Sequence, residues 1–197
     1  MKTILALSAA LALAAAALLA AGCGEPVVQY DDAGSVTLSQ DWSDTDIRAT
    51  ADELGASLAE ALEKKSDIVK AATKPSLLVL DVKNRTDKHL NTRIIADRIE
   101  TAVSKSDRVN LVAGEARETL AKEYEYNASG MVNPKTQKGP GMQQGVDYIL
   151  AGTLENVPVR QGKSKVDYYY IKMYLVNIQT NVKLWQDEKE IKKRITK

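Results

Sequence analysis

The chain has 197 residues, 27 Lys and Arg against 26 Asp and Glu, and only one histidine and one cysteine. A nucleophilic triad or a zinc site needs more His and Cys than this, and the balanced charge argues against a nucleic-acid partner, which calls for a basic excess. About 175 residues beyond the N-terminal apolar run suffice for one domain and are thin for two.

Met1 and Lys2 supply one positive charge, after which "TILALSAALALAAAALLAA" carries none. A basic start, an apolar run and small residues before Cys23 form the layout of a secretory signal. Residues 1–22 are therefore expected to be a cleaved signal peptide. "AAGCG" at Ala20–Gly24 resembles the lipobox of bacterial lipoproteins. The resemblance implies that Cys23 becomes the first residue, is lipidated, and is held on a membrane by several acyl chains. Removing residues 1–22 takes away Lys2 alone and leaves the charges equal, so nothing beyond the anchor draws the chain to anionic lipid.

Residues 23–43 lack helical periodicity and read as the lipidated N-terminus and a tether, with a short strand at Val36–Leu38. Residues 44–197 form the domain. "SDTD" at Ser43–Asp46 offers a helix cap with acids in the first turn. Ile47, Ala51, Leu54, Leu58 and Leu62 then recur at helical spacing to about Lys65. "SLLVLDV" at Ser76–Val82 is apolar on both faces, as a strand covered on two sides would be. Asn91 or Thr92 starts a second helix with Ile95, Ile99, Ala102 and Val103 inward. "RVNLVAG" is a short strand, and "EARETLAKEYEYNA" a third helix with Ala116, Leu120 and Tyr124 on its buried side. Ser129–Gly145 is a long loop. Three strands close the chain at 146–159, 165–178 and 182–191, joined by "RQGKS" and "QTN".

This order predicts a mixed α/β (α+β) fold. It is a single three-layer-like domain whose one mixed sheet joins a βαβ half to an antiparallel three-stranded meander. No repeat, metal-ligand cluster, nucleophile elbow or phosphate-binding glycine loop is present, so neither a cofactor nor catalysis is expected. His89 sits in a charged loop, and the helix start accounts for Asp44 and Asp46.

Along the strand at 165–178, Tyr169, Ile171, Met173 and Leu175 share one face, a core face. Tyr168, Tyr170, Lys172 and Tyr174 share the other. That row fits two readings: tyrosines half-covered by a helix, the commoner use, or an exposed docking surface. Asn84, Arg85 and Thr86 leave the carboxyl end of a parallel strand, where such sheets place ligands, and their short polar groups equally make a turn.

"LLVLDVKNRTDKHLN" resembles the first strand of the LpoB family, outer-membrane lipoprotein activators of bifunctional penicillin-binding proteins. "VDYILAG" is similar to that family's Tyr-Val-Leu strand, and "LVNIQTNVKLW" to its Leu-Val-x-x-Gln-Thr hairpin. The resemblance runs from about Leu77 to the C-terminus. It implies an α/β domain similar to the N-terminal domain of TolB and a noncatalytic role. In that family the lipoprotein docks on a peptidoglycan synthase and stimulates cell-wall synthesis, and the resemblance implies the same role here. Gly24 lacks the aspartate that retains lipoproteins in the inner membrane, which agrees with an outer-membrane location facing the periplasm. The best-known members carry a long proline-rich tether; here roughly 20 residues span about 70 Å at most. Two other classes fit the fold: an assembly lipoprotein related to curli secretion, and a periplasmic glycan or small-ligand binder.

Overall fold

The structure, a computed structural model, describes residues 32–36, 39, 41–161 and 164–196. Cys23 and most of the strand expected at Val36–Leu38 lie outside them.

Helix α1 spans Asp44–Lys64 and starts at a capping box. The Asp46 backbone N–H donates to Ser43 Oγ, and the Ser43 N–H donates back to Asp46 Oδ2 at 2.6 Å. Its stripe of Ala51, Leu54, Leu58 and Leu62 is buried. A single turn, α2 at Ser66–Val69, leads to β1 at Ser76–Val79, and pairing resumes in β2 at Lys83–Asn84. The run expected at Ser76–Val82 is thus one strand broken at Leu80–Val82. Helix α3, Arg93–Ser104, buries Ile95, Ala96, Ile99 and Val103. It crosses α1 closely: a methyl on Gly55 would lie 3.1 Å from the Ala102 Cβ.

Strand β3 is only Asn110–Leu111. A 3-10 turn at Gly114–Ala116 runs into α4, Arg117–Ala128, which ends at Gly130 in the left-handed region with φ +87°. The three long strands are β4 at Tyr148–Gln161, β5 at Ser164–Asn177 and β6 at Lys183–Thr196, the last running five residues past its expected end. Asn177 Oδ1 accepts from the N–H groups of Gln179 and Thr180 to close the β5–β6 turn, where Asn181 sits at φ +57°.

The sheet order is β3-β1-β4-β5-β6, with β2 also on β4. β1 is parallel to β3 and β4, and β4-β5-β6 is an antiparallel meander. The sheet is therefore the mixed one expected, with α1 and α3 on one face. On that inner face Leu77, Val79, Leu150, Leu154, Tyr169, Ile171, Met173 and Leu175 join the helices in one core. Gly152 makes room for this packing, since a Cβ there would meet Met173 Cγ at 2.8 Å.

The layer on the other face is thin. The chain travels from β1 to β3 and then back past β1 to β4, so crossovers of the usual hand place the second connection opposite α3. Its 3-10 turn packs on the sheet: Gly114 presses on Leu78, which a Cβ at Gly114 would meet at 2.6 Å. The burial expected for Ala116, which ends the 3-10 turn, and for Leu120 and Tyr124 on α4 does not occur: none of the three is fully buried. Leu120 stays 38% exposed, and Asn127 is the one buried residue of the helix. The helix sequence, RETLAKEYEYNA, holds Leu120 as its one aliphatic side chain larger than alanine, too little apolar surface to hold α4 down.

Candidate functional site

β4 pairs with β1 and β2 only as far as Leu154. Beyond Glu155 the meander continues as three strands with β4 as its edge. Pro158 is tolerated there because its missing N–H would point to an open edge. The outer face of the meander is built in rungs by the pairing register. Ala151, Tyr174 and Gln186 form one rung; Thr153, Lys172 and Glu188 the next; then Glu155, Tyr170 and Glu190. Val157, Tyr168 and Lys192 follow, and last Val159, Val166 and Arg194.

The structure thus brings Tyr168, Tyr170, Lys172 and Tyr174 together on this face. All four are half-buried by strand neighbours, while α1 and α3 lie behind the sheet. The tyrosines are held in place by polar neighbours. Tyr170 donates to Glu188 Oε2 at 2.5 Å, and that bond pushes its phenol up to about 12. A hydrogen bond to Glu190 likewise raises Tyr168. Lys183 lies over the Tyr174 ring, 4.7 Å from its centroid. Tyrosines fixed this way offer broad, amphipathic contact area at little entropic cost.

Arg85 reaches the same face, its Nη1 being 3.2 Å from Glu155 Oε1. Its loop neighbours point elsewhere. Asn84 Oδ1 accepts from both the N–H and the hydroxyl of Thr86, and Asn84 Nδ2 donates to the Lys88 carbonyl. Their polar groups form a turn that delivers Lys88 to the helix side of the sheet.

There Lys88 meets the root of the N-terminal segment. It pairs with Asp41 and lies 3.5 Å from Asp167, which is fully buried and also bonded to Lys165 at 2.9 Å. Burial pulls the Lys88 ammonium down, but Asp41 and the Tyr169 phenol outweigh it and leave the group above the ordinary lysine range. The hydrogen bond from Lys88 in turn holds Asp41 below the usual carboxylate range. Lys193 donates to the carbonyls of Ser39 and Asp41 and pairs with Asp46. Among the described residues, the buried Asp167 Oδ1 has no hydrogen-bond partner. No local pattern marks this cluster, because Lys88 lies 47 residues from Asp41 and Lys193 lies 147 from Asp46.

Among the described residues, no group of three or more His, Cys, Asp or Glu is placed to hold a metal ion. No described helix is long and apolar enough to cross a membrane.

A family model for the peptidoglycan-synthase activator LpoB matches residues 46–191. Among solved structures, the chain is similar to the LpoB C-terminal domain of Salmonella enterica, at 16% identity, 74% of this chain, 98% of that one and a TM-score of 0.43. The Escherichia coli domain gives the same values. A lipoprotein of Neisseria meningitidis is 18% identical over 61% of this chain and 83% of that one, with a TM-score of 0.40. No curated protein matches.

Proposed function

Because the chain belongs to the LpoB family of peptidoglycan-synthase activators, we propose that it binds a penicillin-binding protein through the outer face of β4-β5-β6 and stimulates it without catalysing a reaction itself. The observation that carries this reading is the row of half-exposed Tyr168, Tyr170, Lys172 and Tyr174, with the helices on the opposite face. Activation by a noncatalytic partner requires that it bind the synthase's active conformation more tightly than the inactive one.

In this reading residues 1–22 are removed, Cys23 carries the lipid, and the protein faces the periplasm from the outer membrane. The domain fastens the segment from Ser39 onward, which leaves 15 residues between Cys23 and Ser39. Fully extended they span about 50 Å. A synthase anchored in the inner membrane must therefore reach toward this protein with a domain of its own.

The test is glycan polymerisation by the organism's own bifunctional synthases, with and without the purified protein. Stimulation of one synthase, lost on Tyr170→Ala with Tyr174→Ala, supports the reading. Unchanged rates for every synthase, with no measurable binding, contradict it.

A further inference from the structure

The two last rungs of the outer face form a feature that the tyrosine row does not explain. Val157, Val159, Val166 and Tyr168 line a cavity of about 410 Å³, with Lys192 and Arg194 along one side. Val166 is the floor at 6% exposure, while Val157 and Val159 remain 53% and 49% exposed. Both cations are exposed, and neither has an ion-pair partner among the described residues. The neighbouring cations are engaged: Lys189 with Glu53, Lys193 with Asp46 and Lys165 with Asp167. The stretches 157–168 and 189–197 hold eight Lys and Arg against Asp167 and Glu190, in a chain whose 27 basic and 26 acidic residues nearly cancel overall. The next rung reverses sign with Glu155 and Glu190.

From this we infer that the valine pocket seats one apolar side chain of a protein segment that carries two carboxylates, which pair with Lys192 and Arg194. The inference rests on the outer face being the synthase-docking surface and names the chemistry that surface selects. Lys192 and Arg194 are two residues apart on one strand, about 6.6 Å. Carboxylates two apart on an extended segment, or three to four apart on a helix, match that spacing. Glu190 on the next rung repels a segment laid down in the opposite sense, so the face also sets orientation. The short valine side chains form a recess, a shape that receives a protruding side chain and not one that inserts into a bilayer.

The experiment places a photo-crosslinking benzoylphenylalanine at Val159, and separately at Tyr174, in the full-length lipidated protein in cells, and sequences the crosslinked peptides. The expected result is a synthase peptide from both positions, with Asp or Glu within four residues of the apolar crosslinked residue at Val159. Lys192→Glu with Arg194→Glu should then weaken binding to that synthase at least tenfold without shifting the melting temperature, and Lys placed at the partner's acidic positions should restore it. Synthase crosslinks from Tyr174 together with lipid only, a basic peptide, or nothing from Val159 would overturn the inference while leaving the docking face intact. Absence of synthase crosslinks at both positions would remove the docking reading as well.

Discussion

The Trp42 ring packs against Tyr169 with centroids 5.2 Å apart at an interplanar angle of 57°. Strand alternation puts Tyr169 on the inner face of β5 and its neighbours Tyr168 and Tyr170 on the outer face. The root of the N-terminal segment and the tyrosine row therefore lie on opposite sides of one sheet. A domain held by that root keeps its outer face clear for a partner.

Trp42→Ala should destabilise the fold by about 2 kcal/mol, through lost burial and the lost aromatic pair. Urea denaturation reads the loss. Trypsin should also cut after Arg48 or Lys88 sooner than in the parent protein, because Trp42 helps to hold the start of α1 in place. Synthase binding by the folded fraction should be unchanged.

Gly152→Val tests the core behind the docking face. Its Cβ would lie 2.8 Å from Met173 Cγ and 2.9 Å from the Lys172 carbonyl oxygen, so backbone as well as side chain must move. Overpacking of this kind costs about 1–3 kcal/mol. A denaturation midpoint equal to the parent's would show that Met173 repacks freely and that the glycine is dispensable.

The pairing of Lys88 with Asp41 makes stability fall off at both ends of the pH scale. The Asp41 pKa is lowered in the fold by the Lys88 hydrogen bond, so its contribution is present above the unfolded value of about 3.9 and is lost as pH falls below it. The Lys88 pKa is raised, so its contribution is present below about 10.4 and is lost as pH rises beyond. Lys88→Met should flatten both limbs in a melting-temperature series across pH.

Tyr170 should titrate as the late phenol. Its hydrogen bond to Glu188 raises it to about 12, so absorbance at the tyrosinate band should show a step there. Tyr170→Phe should delete that step, and Glu188→Gln should move it toward 10. The stability that this bond contributes is present below about pH 10 and disappears between 10 and 12.

Much of this architecture is readable from local patterns. The 3.6-residue spacing of Leu54, Leu58 and Leu62 and the alternation through Tyr169, Ile171, Met173 and Leu175 each belong to one element that buries one face. What escaped depends on topology. Leu120 and Tyr124 have helical spacing, but that spacing does not say whether a sheet surface lies beneath them, and in the fold Leu120 is 38% exposed. The expected strand ends at Ile191, where "KKR" at Lys192–Arg194 interrupts the alternation. In the fold Lys193 points inward and is neutralised by Asp46, so the strand continues between Ile191 and Ile195. The valine pocket was illegible for the same reason. Val157, Val166 and Lys192 come together only through two strand registers.

The central claim is that the outer sheet face, and not the helix face, engages the synthase. Titration calorimetry of the synthase ectodomain tests it directly, comparing Tyr170→Ala with Tyr174→Ala against Arg98→Ala on the exposed side of α3. Losing two interfacial tyrosines should weaken binding at least tenfold, with Arg98→Ala indistinguishable from the parent. Parent-like binding by the tyrosine variant, together with loss of binding on Arg98→Ala, would contradict the account.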